Sequence, residues 1–353
     1  MKKEIKIGNI KIGANHPIAI QSMTNTNTKD IQTTYEQIKL LKTQGCDIVR
    51  VAVYDIECAK AIYEIKKLID IPIVADIHFD YRLAIESIRN GADKIRINPG
   101  NIGDETRVRA IIDEAKKFNI PIRVGANSGS LPKDILNKFK APNAQAVVEA
   151  AMQQVKILEK YNFYDIVISV KSSDIRTTID SYRLLNEISY YPLHVGLTEA
   201  GTFLSGSIKS SIAIGTLLLE GIGDTIRVSL TDDPVNEVIV AKEILKSLGL
   251  RKGINIISCP TCARCRVNLI EIAKMVENKI KDLKTELNVA IMGCAVNGPG
   301  EAKEADIGLA CGNKEGLIFK KGKIIRKVKE EIMVEELLKE IDELLGKKGD
   351  IDE

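Results

Sequence analysis

Two groups of residues in this chain have the types and spacing to do chemistry. The first is a set of thiols. Cys259, Cys262, Cys265 and Cys294 place four of the seven cysteines within 36 residues. Cys259-Pro260-Thr261-Cys262 sits between a β-rich run and a helical pattern, and a second arm, Gly293-Cys294-Ala295-Val296-Asn297-Gly298-Pro299-Gly300-Glu301, is a Gly/Pro loop. Iron–sulfur clusters are held by thiolates on such loops, with hydrogen bonds to the sulfurs tuning them. A Cys-x2-Cys pair is equally half of a zinc site or a redox-active pair. Zinc wants four Cys or His ligands, and these four cysteines would supply them, so the spacing leaves both metals open.

The second group is basic. Arg50, Arg96, Arg123, Lys171 and Arg227 fall in five separate β-rich runs. Asp76 and His78, Arg96 and Asn98, and Arg227 and Ser229 each stand two apart, which puts each pair on one face of its strand. Asn127, Ser128 and Ser130 follow one run, Ser172 and Ser173 another, and Glu199 a third. Arg forks and Lys ammoniums at that density need anions, and a phosphate or diphosphate ligand would supply them. The competing reading is that each Arg pairs with an Asp or Glu inside the fold. A lone His near a strand end is more often a hydrogen-bonded spacer than a base. His78, beside Asp76, is assigned to binding; His194 is assigned no role.

These residues need elements to position them. Residues 4–13 alternate apolar and polar around Gly8-Asn9 and read as a β-hairpin. A rhythm follows: β-rich runs at 18–24, 48–53, 73–77, 94–98, 122–125, 166–171, 193–197 and 225–230, with helical patterns at 32–43, 57–68, 81–90, 105–118, 144–160, 177–189, 206–220 and 235–248. Eight strand–helix units in a chain of this size predict a (β/α)8 TIM barrel, whose active sites lie at the C-terminal ends of the strands. Gly45-Cys46-Asp47, Gly91-Ala92-Asp93 and Gly223-Asp224 repeat one pattern, a Gly that ends a helix and an Asp just before a strand. The rhythm breaks at 247–253. Beyond it a strand at 254–258, a helix at 266–284, strands at 287–292 and 306–310, a hairpin through Gly316 and Val328 and a helix at 329–346 predict a small α+β domain. The expected division is 1–250, a barrel for the substrate, and 251–353, a domain for the metal.

Composition narrows the function. A chain of 353 residues with 44% hydrophobic and 28% charged residues has the balance of a globular protein. A formal charge of +3, 4% aromatics and no Trp argue against nucleic acid. No run of about 18 apolar residues is present, which argues against a membrane span. The start, Met1-Lys2-Lys3-Glu4, leads into no apolar stretch, so a cytoplasmic location is expected. An odd number of cysteines in such a chain favours metal or redox chemistry over a disulfide framework. Cys46, Cys58 and Cys311 read as small hydrophobes.

Several motifs together carry a resemblance. Cys259-Pro260-Thr261-Cys262-Ala263-Arg264 and Met292-Gly293-Cys294-Ala295-Val296-Asn297-Gly298-Pro299-Gly300-Glu301 resemble the 4-hydroxy-3-methylbut-2-enyl diphosphate synthases of the methylerythritol phosphate route to isoprenoids. Gln21-Ser22-Met23-Thr24, Ile95-Arg96-Ile97-Asn98-Pro99-Gly100-Asn101, Thr198-Glu199-Ala200-Gly201 and Gly223-Asp224-Thr225-Ile226-Arg227-Val228-Ser229 match too, so the resemblance spans nearly the whole chain in its two-domain bacterial form. It implies a [4Fe–4S] cluster on Cys259, Cys262, Cys294 and Glu301. It also implies reductive ring opening of 2-C-methyl-D-erythritol 2,4-cyclodiphosphate, with two electrons from ferredoxin or flavodoxin, and a homodimer.

On that footing Glu199 is the candidate proton donor to the departing hydroxyl. Arg50, Arg96, Arg123, Lys171 and Arg227, with Asn98, Asn127 and Ser229, would hold the diphosphate, and Asp76 and His78 would orient hydroxyls. Cys265 has no counterpart in the family's ligand set and reads as a spare thiol. Helix 235–248, about 21 Å long, returns the chain to the barrel face opposite the mouth. The linker 249–253 reaches about 18 Å at most. That arithmetic favours a head-to-tail homodimer, with each cluster domain serving its partner's barrel. The rival readings are a barrel enzyme for another anionic or pterin-like ligand with a zinc domain, and a metal-stabilised binding module.

Overall fold

A computed structural model describes residues 2–98, 102, 104–281, 283, 285–294, 300 and 302–349. It divides into two compact units, Met1–Leu250 and Arg251–Glu353.

The first unit opens with a hairpin, β1 (Ile5–Ile7) and β2 (Ile10–Ile12), paired antiparallel around Gly8-Asn9. Eight parallel strands follow: β3 (Ala19–Met23), β4 (Ile48–Ala52), β5 (Ile73–Asp76), β6 (Lys94–Arg96), β7 (Ile122–Asn127), β8 (Ile166–Lys171), β9 (His194–Val195) and β10 (Thr225–Ile226). They pair in the order β8-β7-β6-β5-β4-β3-β10-β9. A parallel bridge between Ile168 and Leu193 joins the two ends, so the sheet closes on itself. The helices outside are α1 (Ile31–Gln44), α2 (Ile56–Leu68), α3 (Tyr81–Arg89), α4 (Glu105–Phe118), α5 (Lys133–Phe139), α6 (Ala144–Lys160), α7 (Ile175–Ile188), α8 (Phe203–Leu219) and α9 (Pro234–Ser247). The expected TIM barrel is present, with the short α5 as an addition. β6, β9 and β10 end earlier than their sequence runs. The chain beyond them still bonds its neighbours, Ile97 N–H to Arg123 O at 3.1 Å and Arg227 N–H to Val195 O at 2.9 Å.

The strands carry a period of two. Val49, Val51, Ile73, Ala75, Ile95, Ile97, Ile122, Val124, Ile166, Ile168 and Val170 belong to the main core with the helices. The alternate positions face inward. Low in the barrel these are Ala19, Ile48, Val74 and Val167, which pack against Ile5, Ile7 and Ile12, so the hairpin seals the bottom with an apolar floor. Higher up the same faces present Arg50, Asp76, Arg96, Arg123 and Lys171. Most helix starts after the strands are capped alike, Asp30, Asp55, Asp80, Asp104, Asn143, Asp174 and Asp233 each accepting a backbone N–H of the first turn.

The repeated Gly–Asp pattern has a physical cause. Gly45, Gly91 and Gly223 sit at φ 107°, 91° and 131°, where a side chain would be strained. The Asp that follows each then reaches back to the start of the preceding strand: Asp47 accepts from Ile20 N–H, Asp93 from Ile73 N–H and Asp224 from Leu193 N–H, each at 2.7 Å. The repeat is therefore a register clamp at the strand starts.

The second unit is a five-stranded sheet of β11 (Ile254–Ser258), β12 (Leu287–Met292), β13 (Ile307–Cys311), β14 (Glu315–Lys320) and β15 (Lys323–Lys329), in that order. The first three are parallel and the last three antiparallel. α10 (Leu269–Ile280) and α11 (Met333–Gly349) share one core with Val289, Ile291, Leu309 and Ile318. Ala290, Met292, Ala310 and Phe319 cluster on the opposite face. Among the described residues no helix is long and apolar enough to cross a membrane.

Candidate functional site

The barrel mouth gathers basic side chains from β4 to β10. Arg50 and Arg123 are buried within β4 and β7, Lys171 is buried at the end of β8, and Arg96 is half-buried at the end of β6. Arg227 and Ser229 lie half-buried just past β10, and Asn127 half-buried at the end of β7. Asn98 is half-buried beyond β6, while His78 is exposed beyond β5.

Two carboxylates organise this group. Asp76 lies 3.2 Å from Arg96 Nη1, 3.5 Å from His78 Nε2 and 3.9 Å from Arg50 Nε. Burial alone would raise its pKa; Arg50, the His78 hydrogen bond, Arg96 and Arg123 together hold it far below the usual carboxylate range. The second carboxylate, Glu237 in the first turn of α9, lies outside the residues the sequence picked out. It is buried, meets Arg227 at 3.3 and 3.4 Å, and accepts from Ser22 Oγ at 3.2 Å and Leu230 N–H at 3.0 Å. An acidic residue in a first helical turn reads as a dipole partner, so its type gave no sign of this role.

Internal pairing thus accounts for Arg50, Arg96 and Arg227. It does not account for Arg123 or Lys171. Among the described residues neither has a carboxylate within ion-pair distance, and Arg123 Nε and Nη1 are buried with no partner at all. Burial lowers Arg50's pKa to about 10, with Asp76 opposing and Arg227 and Arg96 assisting. Burial, then Arg123, Arg227, Arg50 and Arg96, push Lys171 well below its ordinary value. Arg123 is lowered too, by burial first and then by Arg50 and Arg96. A guanidinium keeps its proton in proteins, so Arg123 is a buried cation with no carboxylate within ion-pair distance among the described residues.

Two glycines keep the neck open. A Cβ on Gly196 would lie 2.3 Å from Arg227 O and 3.1 Å from Lys171 Nζ, and one on Gly125 would lie 2.1 Å from Ser169 O. Beneath the mouth His194 is wholly buried, its Nδ1 2.8 Å from Thr225 Oγ1. Burial and then the surrounding cations, Arg123 first, push its pKa well down. Lys94, two residues before Arg96 on the same face, is also wholly buried. That spacing was the available signal for it. Glu199 follows β9 in an exposed loop at φ +54°, the left-handed region. For a non-glycine residue this costs about 1–3 kcal/mol, a strain that clusters at functional sites.

In the second unit β11 and β12 are parallel neighbours, with Ser258 beside Ile291. The loops that leave them therefore start side by side, and Gly293 N–H donates to Cys259 Sγ at 3.2 Å. Cys265 is half-buried against the same glycine, its Sγ 2.9 Å from where a Gly293 Cβ would be, and its thiol donates to Val267 O at 3.3 Å. Cys262 is exposed, and backbone and side-chain hydrogen bonds from Arg264 lower its thiol pKa. Cys294 is half-buried next to Gly293. Glu301 and residues 295–299 lie outside the described residues. Among the described residues no three Cys, His, Asp or Glu side chains form a closed ligand set. The donor chemistry still suits an iron–sulfur group: free thiols on two adjoining loops, one thiolate favoured by Arg264, and a backbone N–H aimed at a sulfur. The other three thiols are elsewhere in character. Cys46, Cys58 and Cys311 are buried, and burial pushes Cys311 up to about 12.

Comparison with known proteins bears on both halves. The family model described as the GcpE TIM-barrel domain matches residues 2–242, and that of the GcpE protein C-terminal domain matches 255–343. A 4-hydroxy-3-methylbut-2-en-1-yl diphosphate synthase (flavodoxin) from Caldicellulosiruptor saccharolyticus is 69% identical over 341 residues, 97% of this chain and 98% of its own length. One of the same description from Caldanaerobacter subterraneus subsp. tengcongensis is 60% identical over 346 residues, 98% of each. Among solved structures, a dihydropteroate synthase from Stenotrophomonas maltophilia superposes with a TM-score of 0.50 at 13% identity, over 70% of this chain and 98% of its own. At that identity the likeness is one of fold alone.

Proposed function

The chain belongs to the GcpE family, and from that premise we infer that it is an iron–sulfur oxidoreductase of isoprenoid biosynthesis. It opens the ring of 2-C-methyl-D-erythritol 2,4-cyclodiphosphate with two electrons, giving 4-hydroxy-3-methylbut-2-enyl diphosphate and water. The observation that carries the substrate class is the pair of mouth cations left without a carboxylate, Arg123 and Lys171, Arg123 above all.

In this reading residues 1–250 bind the substrate and residues 251–353 carry a [4Fe–4S] cluster on Cys259, Cys262, Cys294 and Glu301. Bound there, the cluster supplies single electrons and a Lewis-acidic iron. The chain's own groups do the rest. Arg50, Arg96, Arg123, Lys171 and Arg227 hold the diphosphate, with Asn98, Asn127 and Ser229 donating to its oxygens. Asp76, kept ionised by its neighbours, and His78 accept from and orient the substrate's hydroxyls. The carboxyl of Glu199 delivers a proton to the departing hydroxyl oxygen. The apolar floor, packed against the hairpin, closes the barrel from below.

The electron donor is flavodoxin or ferredoxin, since one-electron chemistry needs one-electron partners and the relatives are named for flavodoxin. We also assign a homodimer and a cytoplasmic location; the short linker 249–253, about 18 Å when extended, supports the dimer. Iron and sulfide analysis with a visible spectrum, followed by anaerobic turnover of the cyclodiphosphate with reduced flavodoxin, tests the whole reading. A colourless zinc protein, or an iron protein inert toward this substrate, would overturn it.

A further inference from the structure

Below the residues assigned to the diphosphate lies one lysine amine with no role in that assignment. Lys94 begins β6, is wholly buried and shares the inward face with Arg96. Its partner across the ladder is Val74, part of the apolar floor. Its side chain makes one hydrogen bond among the described residues, to a neutral group, Gln21 Oε1 at 3.3 Å. The nearby carboxylates are engaged elsewhere, Asp76 by Arg96, His78 and Arg50, and Glu237 by Arg227.

The charges that bear most on Lys94 are basic, Arg123 on β7 and Arg50 on β4, with His194 on β9 also close; one inward step up are Arg96 on its own strand and Asp76 on β5, paired with each other. Burial first, then Arg123 and Arg50, push its pKa well below the ordinary lysine value. Around it polar atoms are left over. Gln21 Nε2, Arg123 Nε and Nη1 and His194 Nε2 are buried without partners. A dry interior rejects a lone cation and accepts it once an anion arrives.

We propose that Lys94 is a positioning residue for the diphosphate: it takes a proton from solvent as the substrate's anionic groups enter the mouth, and the ammonium so formed, held by Gln21, draws them down toward Arg123. The barrel thereby adds a charge only when there is a charge to meet. This rests on the reading of the mouth as the diphosphate site.

The test titrates the holoenzyme, oxidised and without reductant, with 2-C-methyl-D-erythritol 2,4-cyclodiphosphate by calorimetry. Two buffers of one pH and different ionisation enthalpy give the number of protons taken up. Lys94→Met keeps the bulk of the stem and removes the amine; its affinity falls about tenfold or more and its proton uptake drops below that of the wild type. Gln21→Glu gives Lys94 a counter-ion in advance, so uptake also drops, although the amine remains. A purely structural role would leave the proton number unchanged. Lys94→Met with affinity or uptake like the wild type overturns the proposal. Should that variant fail to fold, unchanged uptake in Gln21→Glu overturns it instead. Arg227→Met is the reference for the underlying reading. If it binds like the wild type, the diphosphate site itself is misplaced; if it weakens while Lys94→Met does not, only the role of Lys94 fails.

Discussion

Asp76→Asn removes the negative charge that Arg50, Arg96 and His78 share. The residue is 6% exposed, so the loss of its charge takes a buried counter-ion from the guanidiniums of Arg50 and Arg96. Breaking a buried ion pair from one side costs about 3–5 kcal/mol. Of the three contacts, at 3.2, 3.5 and 3.9 Å, two are of hydrogen-bond length, and the amide keeps an oxygen that can still accept from Arg96, which places the cost near the lower end. For a unit of this size a loss of about 3 kcal/mol lowers the barrel's Tm by roughly 6–12 °C. The sign with pH follows from the depressed pKa of Asp76. Its stabilisation is complete above the unfolded value of about 4 and is lost as pH falls through the lower folded value. The gap between wild type and variant is therefore constant from pH 5 to 8 on this account and closes only in strong acid. Scanning calorimetry of both proteins, with and without inorganic pyrophosphate, reads this out. Pyrophosphate, as a substitute counter-ion, should recover more of the Tm in the variant than it adds to the wild type. A Tm within about 2 °C of the wild type, or no extra rescue by pyrophosphate, would refute the reasoning, because it would mean the mouth cations are solvated well enough to need no anion.

Glu199→Gln keeps the side chain's shape but cannot give up a proton. Cluster absorbance and substrate affinity should persist while turnover falls about a hundredfold or more; near-normal turnover removes Glu199 from the chemistry. Cys265→Ser should retain iron, sulfide and the visible spectrum, whereas Cys294→Ser loses all three. Loss of iron in the Cys265 variant would make that thiol a ligand. Mixing Glu199→Gln chains with Cys294→Ser chains tests the homodimer: if each site draws on two chains, subunit exchange creates one intact site and activity returns. A mixture that stays inactive, with exchange shown by mass, would place both lesions in sites built from a single chain.

The fold was legible because its signals are local. Alternation along Ile48–Ala52 or Ile166–Lys171, helix starts marked by Asp30 or Asp174, and the recurrent Gly–Asp pairs all act over a few residues, where the chain's own geometry decides. The Gly–Asp repeat was visible as a pattern, but its purpose was not. That Asp93 accepts from Ile73 N–H across 20 residues is a contact that only strand pairing creates. The cysteine arms were legible for a similar reason, since ligand type and loop composition are written in sequence. Their approach through Gly293 needed β11 and β12 to be parallel neighbours.

At the mouth the division runs through individual side chains. Residue type and position alone pointed to Arg50, Arg96, Arg123, Lys171 and Arg227, because a polar residue on the inward face of a barrel strand is conspicuous. Sequence could not say which of them were already paired. Asp76 satisfies two and Glu237, 161 residues further on in a helix, satisfies a third, while Arg123 and Lys171 have no carboxylate within ion-pair distance among the described residues. Charge pairing depends on distance and dielectric, and both are properties of the closed barrel rather than of any segment of chain. Local sequence thus carries the barrel strands, the thiol loops and the basic residues of the mouth, whereas the pairing that leaves Arg123 and Lys171 without a carboxylate exists only once distant strands and helices meet.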